Sequence, residues 1–167
     1  MSLSAQVHQD QLRSVRLVII IVEITRPGPQ PLTPRTHGCQ PESFTVSTVD
    51  LTQENFQDVI QKNAMVLVDF WAPWCGPCRA FAPVYEAASA EHPDVVFAKV
   101  NTEDQQGLGA TFQIRSIPTL MLFRDQVILF AQPGSLPGPA LNEILAKAKA
   151  LDMDLVRKEI AEQNTTA

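Results

Sequence analysis

The chain has 167 residues, 45% hydrophobic and 19% charged, with 13 Lys+Arg against 18 Asp+Glu and three cysteines. That length suits one domain with some chain left over, and this apolar content builds a core without a disulfide scaffold. A net charge of −5 argues against a nucleic-acid partner, which selects for clustered Lys and Arg.

Composition changes near residue 42. Residues 1–41 hold Arg13, Arg16, Arg26 and Arg35 against Asp10 and Glu23, a net of +2; residues 42–167 hold nine basic and sixteen acidic residues, a net of −7. Pro27, Pro29, Pro31, Pro34 and Pro41 place five of thirteen prolines in this leader. Its one strongly apolar run, Leu17-Val18-Ile19-Ile20-Ile21-Val22, stops at Glu23, far short of the ~20 residues that span a bilayer. Ile24-Thr25-Arg26-Pro27 offers no small-residue cleavage site of a secretory signal. The run reads as one β-strand or as a sticky segment without a settled partner, and Pro27 to Pro41 as an extended or disordered tether.

From Phe44 the pattern becomes regular. Phe44-Thr45-Val46-Ser47-Thr48-Val49 alternates like a half-buried strand, and Thr52 suits the N-cap of a helix through Asn63, with Phe56, Val59 and Ile60 on one face. Met65 to Phe70 is an apolar run broken only by Asp69, the mark of a central strand buried on both faces. A helix is expected from about Cys75 to Glu91, kinked at Pro83, and His92-Pro93-Asp94 forms a turn. Val95 to Val100 is a second buried strand whose one charge is Lys99, and Glu103 to Thr111 a short helix.

Thr119 to Phe123 and Val127 to Phe130 form a hairpin around Arg124-Asp125-Gln126. Pro139 suits a first helical turn, and Leu141, Ile144, Leu145, Ala148 and Leu151 give the last helix an apolar stripe. Leu155, Val156 and Ile160 carry that helix on before it frays at Asn164. The order β-α-β-α-β-α-β-β-α predicts an α/β fold, a mixed central sheet with helices on both faces. The expected division is a leader at 1–41, one domain at 42–151 and a helical tail at 152–167.

The chemistry lies in Trp74-Cys75-Gly76-Pro77-Cys78, where a buried strand hands over to a helix. The unpaired N–H groups and positive end of a helix start stabilise a thiolate, so Cys75 is expected to be the low-pKa nucleophile. Cys78, one turn deeper on the same face, is expected to be the shielded thiol that resolves a mixed disulfide. Gly76 admits a close-approaching target chain, and opposite φ demands at Gly76 and Pro77 are expected to hold the two sulfurs near bonding distance in either redox state. Half of a zinc site is the other reading. It needs two more ligands, and only Cys39, His8, His37 and His92 remain, none spaced as a second pair.

Asp69 to Cys78, read as DFWAPWCGPC, resembles the active-site signature of the thioredoxin family, and Ile117-Pro118-Thr119 resembles that family's cis-proline loop. The resemblance spans about residues 44–151. Val100-Asn101-Thr102-Glu103, Ile114 to Pro118 and Gln132-Pro133-Gly134 are most similar to bacterial cytoplasmic thioredoxins. It implies a thioredoxin-like fold, a cytoplasmic protein-disulfide reductase and electron carrier, and a monomer whose Cys75–Cys78 pair is the redox group, with no separate cofactor or metal. It also implies recharging by a flavin-containing thioredoxin reductase that uses NADPH, and oxidised proteins as substrates. Asp69 becomes the buried proton acceptor for Cys78 with Lys99 as its partner; a strand-end carboxylate facing water and a snorkelling lysine are the plain alternatives.

The same resemblance places Trp71 under the active-site loop and Trp74, Gly76, Pro77, Ile117, Pro118 and Gly134 along a substrate groove, with Pro83 in the helix nearby. Ile117-Pro118 is expected to be cis, leaving the Ile117 backbone free for an extended substrate. A trans proline opening a strand and a nonspecific turn at Gly134 are the ordinary readings. Gln113 and Gln126 stand where the family usually has glycine. Gly76-Pro77, without a histidine beside Cys78, favours a reductant over an oxidase or isomerase. A binding module that docks a partner without turnover is the rival from another class, and Cys39 is expected to be a bystander thiol.

Overall fold

The computed structural model describes residues 48–165. The apolar run of the leader, Cys39 and most of the expected Phe44–Val49 strand lie outside them. Within them the chain runs β1 (Val49–Asp50), α1 (Phe56–Lys62), β2 (Met65–Trp71), α2 (Gly76–Glu91), β3 (Val96–Asn101), α3 (Gln106–Thr111), β4 (Thr119–Arg124), β5 (Val127–Pro133), α4 (Gly138–Ala150) and α5 (Met153–Thr165).

The five strands form one mixed sheet in the order β1-β3-β2-β4-β5. β3 pairs parallel with β1 and β2, while β4 pairs antiparallel with β2 and β5. β2 is central because nearly all its side chains are apolar, and Met65 to Phe70 are buried without a break. Alternation then sends them to two cores. Met65 and Leu67 join Phe81 and Tyr85 of α2, Leu141 and Leu145 of α4, and Met153 and Val156 of α5. Val66, Val68 and Phe70 join Ile60 of α1, Leu108 of α3, and Met121, Phe123 and Ile128 of the hairpin.

Several element ends differ from expectation. Regular helix α1 begins at Phe56 instead of just after Thr52. The Thr52 N–H donates to Asn55 Oδ1 at 2.8 Å and the Asn55 N–H donates to Thr52 Oγ1 at 3.4 Å, so the pair closes a turn ahead of the helix. The Glu103 N–H donates to Asn101 Oδ1 in a similar turn, and α3 starts at Gln106. The hairpin loop is only Asp125-Gln126, both at positive φ (49° and 70°), the handedness a two-residue hairpin favours. α2 runs through Pro83, which lies exposed.

The last helix is two helices. Leu151 leaves α4 in an extended conformation, and Asp152 Oδ1 accepts from the N–H groups of Asp154 and Leu155, starting α5 afresh. Arg124, at the end of β4, donates through Nη1 to the carbonyls of Ala148, Lys149 and Leu151 and so satisfies the C-terminus of α4. Arg157 of α5 reaches Asp125 in the hairpin loop at 3.7 Å. These contacts gather α4, α5 and the hairpin loop at one end of the sheet.

Candidate active site

The opposite end holds the two cysteines. β2 ends at Trp71, and Ala72-Pro73-Trp74 turns the chain so that the Cys75 N–H donates to the Ala72 carbonyl at 3.1 Å. Cys75 is the N-cap of α2, and its Sγ accepts from the Cys78 N–H at 3.2 Å. Helix geometry thus aims a backbone donor at this sulfur, and a thiolate there would be stabilised by that donor and by the helix dipole. Cys75 and Cys78 are joined as a disulfide, S–S 2.08 Å and Cα–Cα 5.3 Å. Their sulfurs are bonded to each other, and among the described residues no group of His, Cys, Asp and Glu is placed to hold a metal ion.

Two expectations about this loop do not hold. Gly76 takes no positive φ; it is the first residue of α2, and among the described glycines only Gly134 is left-handed, at +100°. Helix geometry, with Pro77 fixing φ in the first turn, holds the sulfurs together instead. Nor does burial separate the cysteines, because Cys75 is 4% and Cys78 3% exposed. Position separates them: Cys75 Sγ lies 3.8 Å from the carbonyl oxygen of Ile117, while Cys78 sits inside the helix.

Ile117-Pro118 is a cis peptide bond, beside the disulfide as expected. Ile117 packs against Ala72, Cys75 and Cys78, and also against the core between the sheet and α1 and α3. Gly134 is tied to this loop by its N–H, which donates to the Pro118 carbonyl at 2.7 Å. Trp74 is 67% exposed beside the disulfide, an unusual state for so large an apolar side chain. A Cβ at Gly76 would meet no atom within 4 Å, so packing within the chain does not require glycine there. Pro77 is exposed as well.

Asp69 is buried, 1% exposed, and faces neither strand end nor water. It pairs in register with Lys99 on β3 and Leu120 on β4, and its Oδ1 has no hydrogen-bond partner. Burial pushes its carboxyl from 3.8 up to about 7, with the positive charge of Lys99 pulling partly the other way. Lys99 Nζ stands 4.9 Å from the centre of the Trp71 ring, a cation–π contact that holds the ammonium next to this strand pair. Trp71 packs against the disulfide cluster, with its Nε1 buried and unpartnered. Pro83 lies farther along the exposed face of α2.

Two supporting residues were not expected. The Tyr85 hydroxyl lies 2.7 Å from the Leu67 carbonyl and 2.8 Å from the Ala98 carbonyl, sharing its proton between strands β2 and β3 just before Asp69 and Lys99. Burial, then the negative charge of Asp69, pushes the Tyr85 phenol well above its usual range. Its one sequence signal is being the only tyrosine of the chain, at i+4 from Phe81. Thr102 donates both its N–H (2.9 Å) and its hydroxyl (3.1 Å) to the Trp71 carbonyl, with no comparable signal.

Comparison with known proteins agrees with this geometry. The thioredoxin family model matches residues 47–148. A Streptomyces coelicolor protein that carries a thioredoxin 2 designation is 56% identical over 121 residues, covering 72% of this chain and 90% of that protein. Thioredoxin 1 of Synechococcus elongatus is 44% identical over 92 residues, 54% of this chain and 86% of that one. Among solved structures, thioredoxin from Plasmodium falciparum superposes with a TM-score of 0.56 at 32% identity, covering 60% of this chain and 98% of that one. Mitochondrial thioredoxin 3 from Saccharomyces cerevisiae in its oxidised form gives a TM-score of 0.56 at 26% identity, over 60% and 94%. A mixed sheet between helices, a cis-proline loop and a disulfide at a helix N-cap have one meaning together: this chain is a thiol–disulfide oxidoreductase of the thioredoxin family.

Proposed function

We propose that the chain works as a protein-disulfide reductase in which Cys75 attacks and Cys78 resolves. The observation that carries this assignment is the Cys75 sulfur at the N-cap, accepting a backbone N–H while lying 3.8 Å from the Ile117 carbonyl. In the dithiol form, the Cys75 thiolate attacks one sulfur of a substrate disulfide. A Cys75–substrate bond forms, the substrate S–S bond breaks, and the departing substrate thiolate takes a proton. Cys78 then gives its proton to the Asp69 carboxylate and attacks Cys75 Sγ, releasing the second substrate thiolate. Two electrons pass to the substrate and the Cys75–Cys78 disulfide is left. With a carboxyl near 7, Asp69 can hold and return that proton at neutral pH, and Lys99 biases it towards the charged form.

The substrate lies in this reading across Trp74, Gly76-Pro77, Ile117-Pro118 and Gly134, as an extended chain pairing with the Ile117 backbone. Named relatives that are thioredoxins support a thioredoxin reductase, drawing on NADPH through a flavin, as the electron donor. A reducing compartment, the cytoplasm, suits a reductant with Gly76-Pro77 between its cysteines, and no helix among the described residues is long and apolar enough to cross a membrane.

Reduction of insulin disulfides with dithiothreitol as the electron source tests the assignment. The full chain should turn over, Cys75→Ser should abolish turnover, and Cys78→Ser should accumulate a mixed disulfide with insulin. A Cys75→Ser variant of unchanged rate defeats the nucleophile assignment. Binding of insulin without turnover by the unsubstituted chain would favour a docking module instead.

A further inference from the structure

On the sheet face covered by α1 and α3, the hairpin is left partly open. A groove of about 760 Å³ is lined by Met121, Ile128 and Ala131 of the hairpin strands and by Phe56 and Phe112, with polar side chains such as Gln113 and Gln132 among them. One end is marked by the paired residues Thr119 and Pro133, next in sequence to Pro118 and Gly134; the other by the pair Phe123 and Ile128. The two ends are four residue steps apart along β4, ~13 Å of extended chain. Arg115 is the only charged residue in the lining. Ile117 connects the groove to the chemistry, since it packs both on the core beneath the groove and on the disulfide cluster.

Resting on the reductase reading above, we infer that this groove is a second substrate subsite, which takes one large aliphatic or aromatic side chain of an unfolded client polypeptide about three to five residues from the cysteine under attack. Continuity decides the occupant. A client extended along the cis-proline loop meets the groove within two residues of Ile117, and the groove's length matches that number of client residues. The lining decides the chemistry. Most of its surface is apolar, and a client side chain seated against Met121, Ile128, Ala131, Phe56 and Phe112 leaves water without burying any charge. Arg115, at the active-site end beside Ser116, adds tolerance for an acidic client residue at the near edge. The subsite lowers KM for clients that carry the anchor and leaves the exchange step alone.

The test uses the full-length chain in its dithiol form and peptides containing one intramolecular disulfide. Leu or Ala is placed four residues before or after the attacked cysteine, and hydroxyethyl disulfide serves as a substrate too small to reach the groove. The Leu peptide of at least one series should react about tenfold faster than its Ala partner below saturation. Ala131→Phe, which fills the groove, should remove that preference while leaving the rate with hydroxyethyl disulfide unchanged. Equal rates for Leu and Ala peptides in both series overturn the proposal, as does a preference that survives Ala131→Phe. If Ala131→Phe damages folding and loses both rates, Thr111→Lys at the exposed rim is read against the same two outcomes. A dimer in sedimentation that Ala131→Phe dissolves makes a second copy the occupant and overturns the client assignment. A wild-type chain inactive on hydroxyethyl disulfide defeats the reductase reading itself, a result distinct from failure of the subsite.

Discussion

Asp69 ties proton binding to folding near neutral pH. Its carboxyl titrates near 3.8 when solvated and at about 7 in the fold, so between those values the native chain holds a proton that the unfolded chain has lost. Because the native state binds more protons there, stability falls as pH rises, by about 1.4 kcal/mol per pH unit, and levels off above pH 7. Asp69→Asn should flatten this slope: urea unfolding of the oxidised chain is expected to show the variant a few kcal/mol more stable at pH 8 and little changed near pH 4. Parallel pH curves for the two proteins would remove Asp69 from this role. The same substitution should slow resolution of a trapped mixed disulfide about 10²-fold at pH 8, the low end of what a positioned base contributes. Backbone handedness gives a prediction of opposite character. Gln126 sits at φ 70° in the hairpin loop, where an L side chain is strained and glycine is not. Gln126→Gly should raise the unfolding free energy by ~0.5–1 kcal/mol, the relief of that strain less the added freedom of the unfolded chain. Gln113, at φ 52°, follows the same logic.

Elements are legible from sequence where one physical signal dominates. β2 could be read because burial on both faces leaves an unbroken apolar run, and the α2 start could be read because a Cys-x-x-Cys pair after such a strand has few other uses. The break at Leu151-Asp152 could not, since apolar spacing runs on through Leu151, Leu155 and Val156 as though one helix continued. What stops α4 is a side chain from elsewhere, Arg124, and what starts α5 is the Asp152 carboxylate. Tyr85 was hidden for a related reason. A tyrosine in an apolar helical stripe reads as core, and its partners are carbonyls of strands that only the folded sheet brings to it. Gly76 shows the reverse error, an expected special φ where ordinary helix suffices. Arg124 makes the element-scale prediction: Arg124→Met keeps the apolar stem but orphans three carbonyls at the α4 terminus, and should cost about 2 kcal/mol in urea unfolding. An unchanged midpoint would mean that water satisfies those carbonyls equally well.

The whole molecule is polarised along the sheet. The disulfide, the cis-proline loop and Gly134 occupy the end where β2 finishes and β4 begins, while the hairpin loop, Arg124 and α5 occupy the other. Stability and chemistry are therefore drawn from different places. Met153 and Val156 of α5 are buried with Leu145 and Ala148 in the α2–α4 core, whereas the disulfide sits in its own cluster with Ala72, Trp71 and Ile117. Truncation after Leu151 removes two buried apolar side chains, each stabilising by ~1.5–3 kcal/mol on burial, and frees a 13-residue helix from the entropy of being ordered. The exposed ion pairs of Arg157 add little to either side, so loss of the buried Met153 and Val156 is expected to show as a lower urea midpoint. At low temperature without urea, where the truncated chain remains folded by circular dichroism, its rate with hydroxyethyl disulfide should equal that of the full chain. If that rate dropped while the fold persisted, α5 would be coupled to the disulfide across the length of β4, and the two ends would not be independent. Equal rates with unequal midpoints would place α5 as a brace on the core, distant from the exchange reaction.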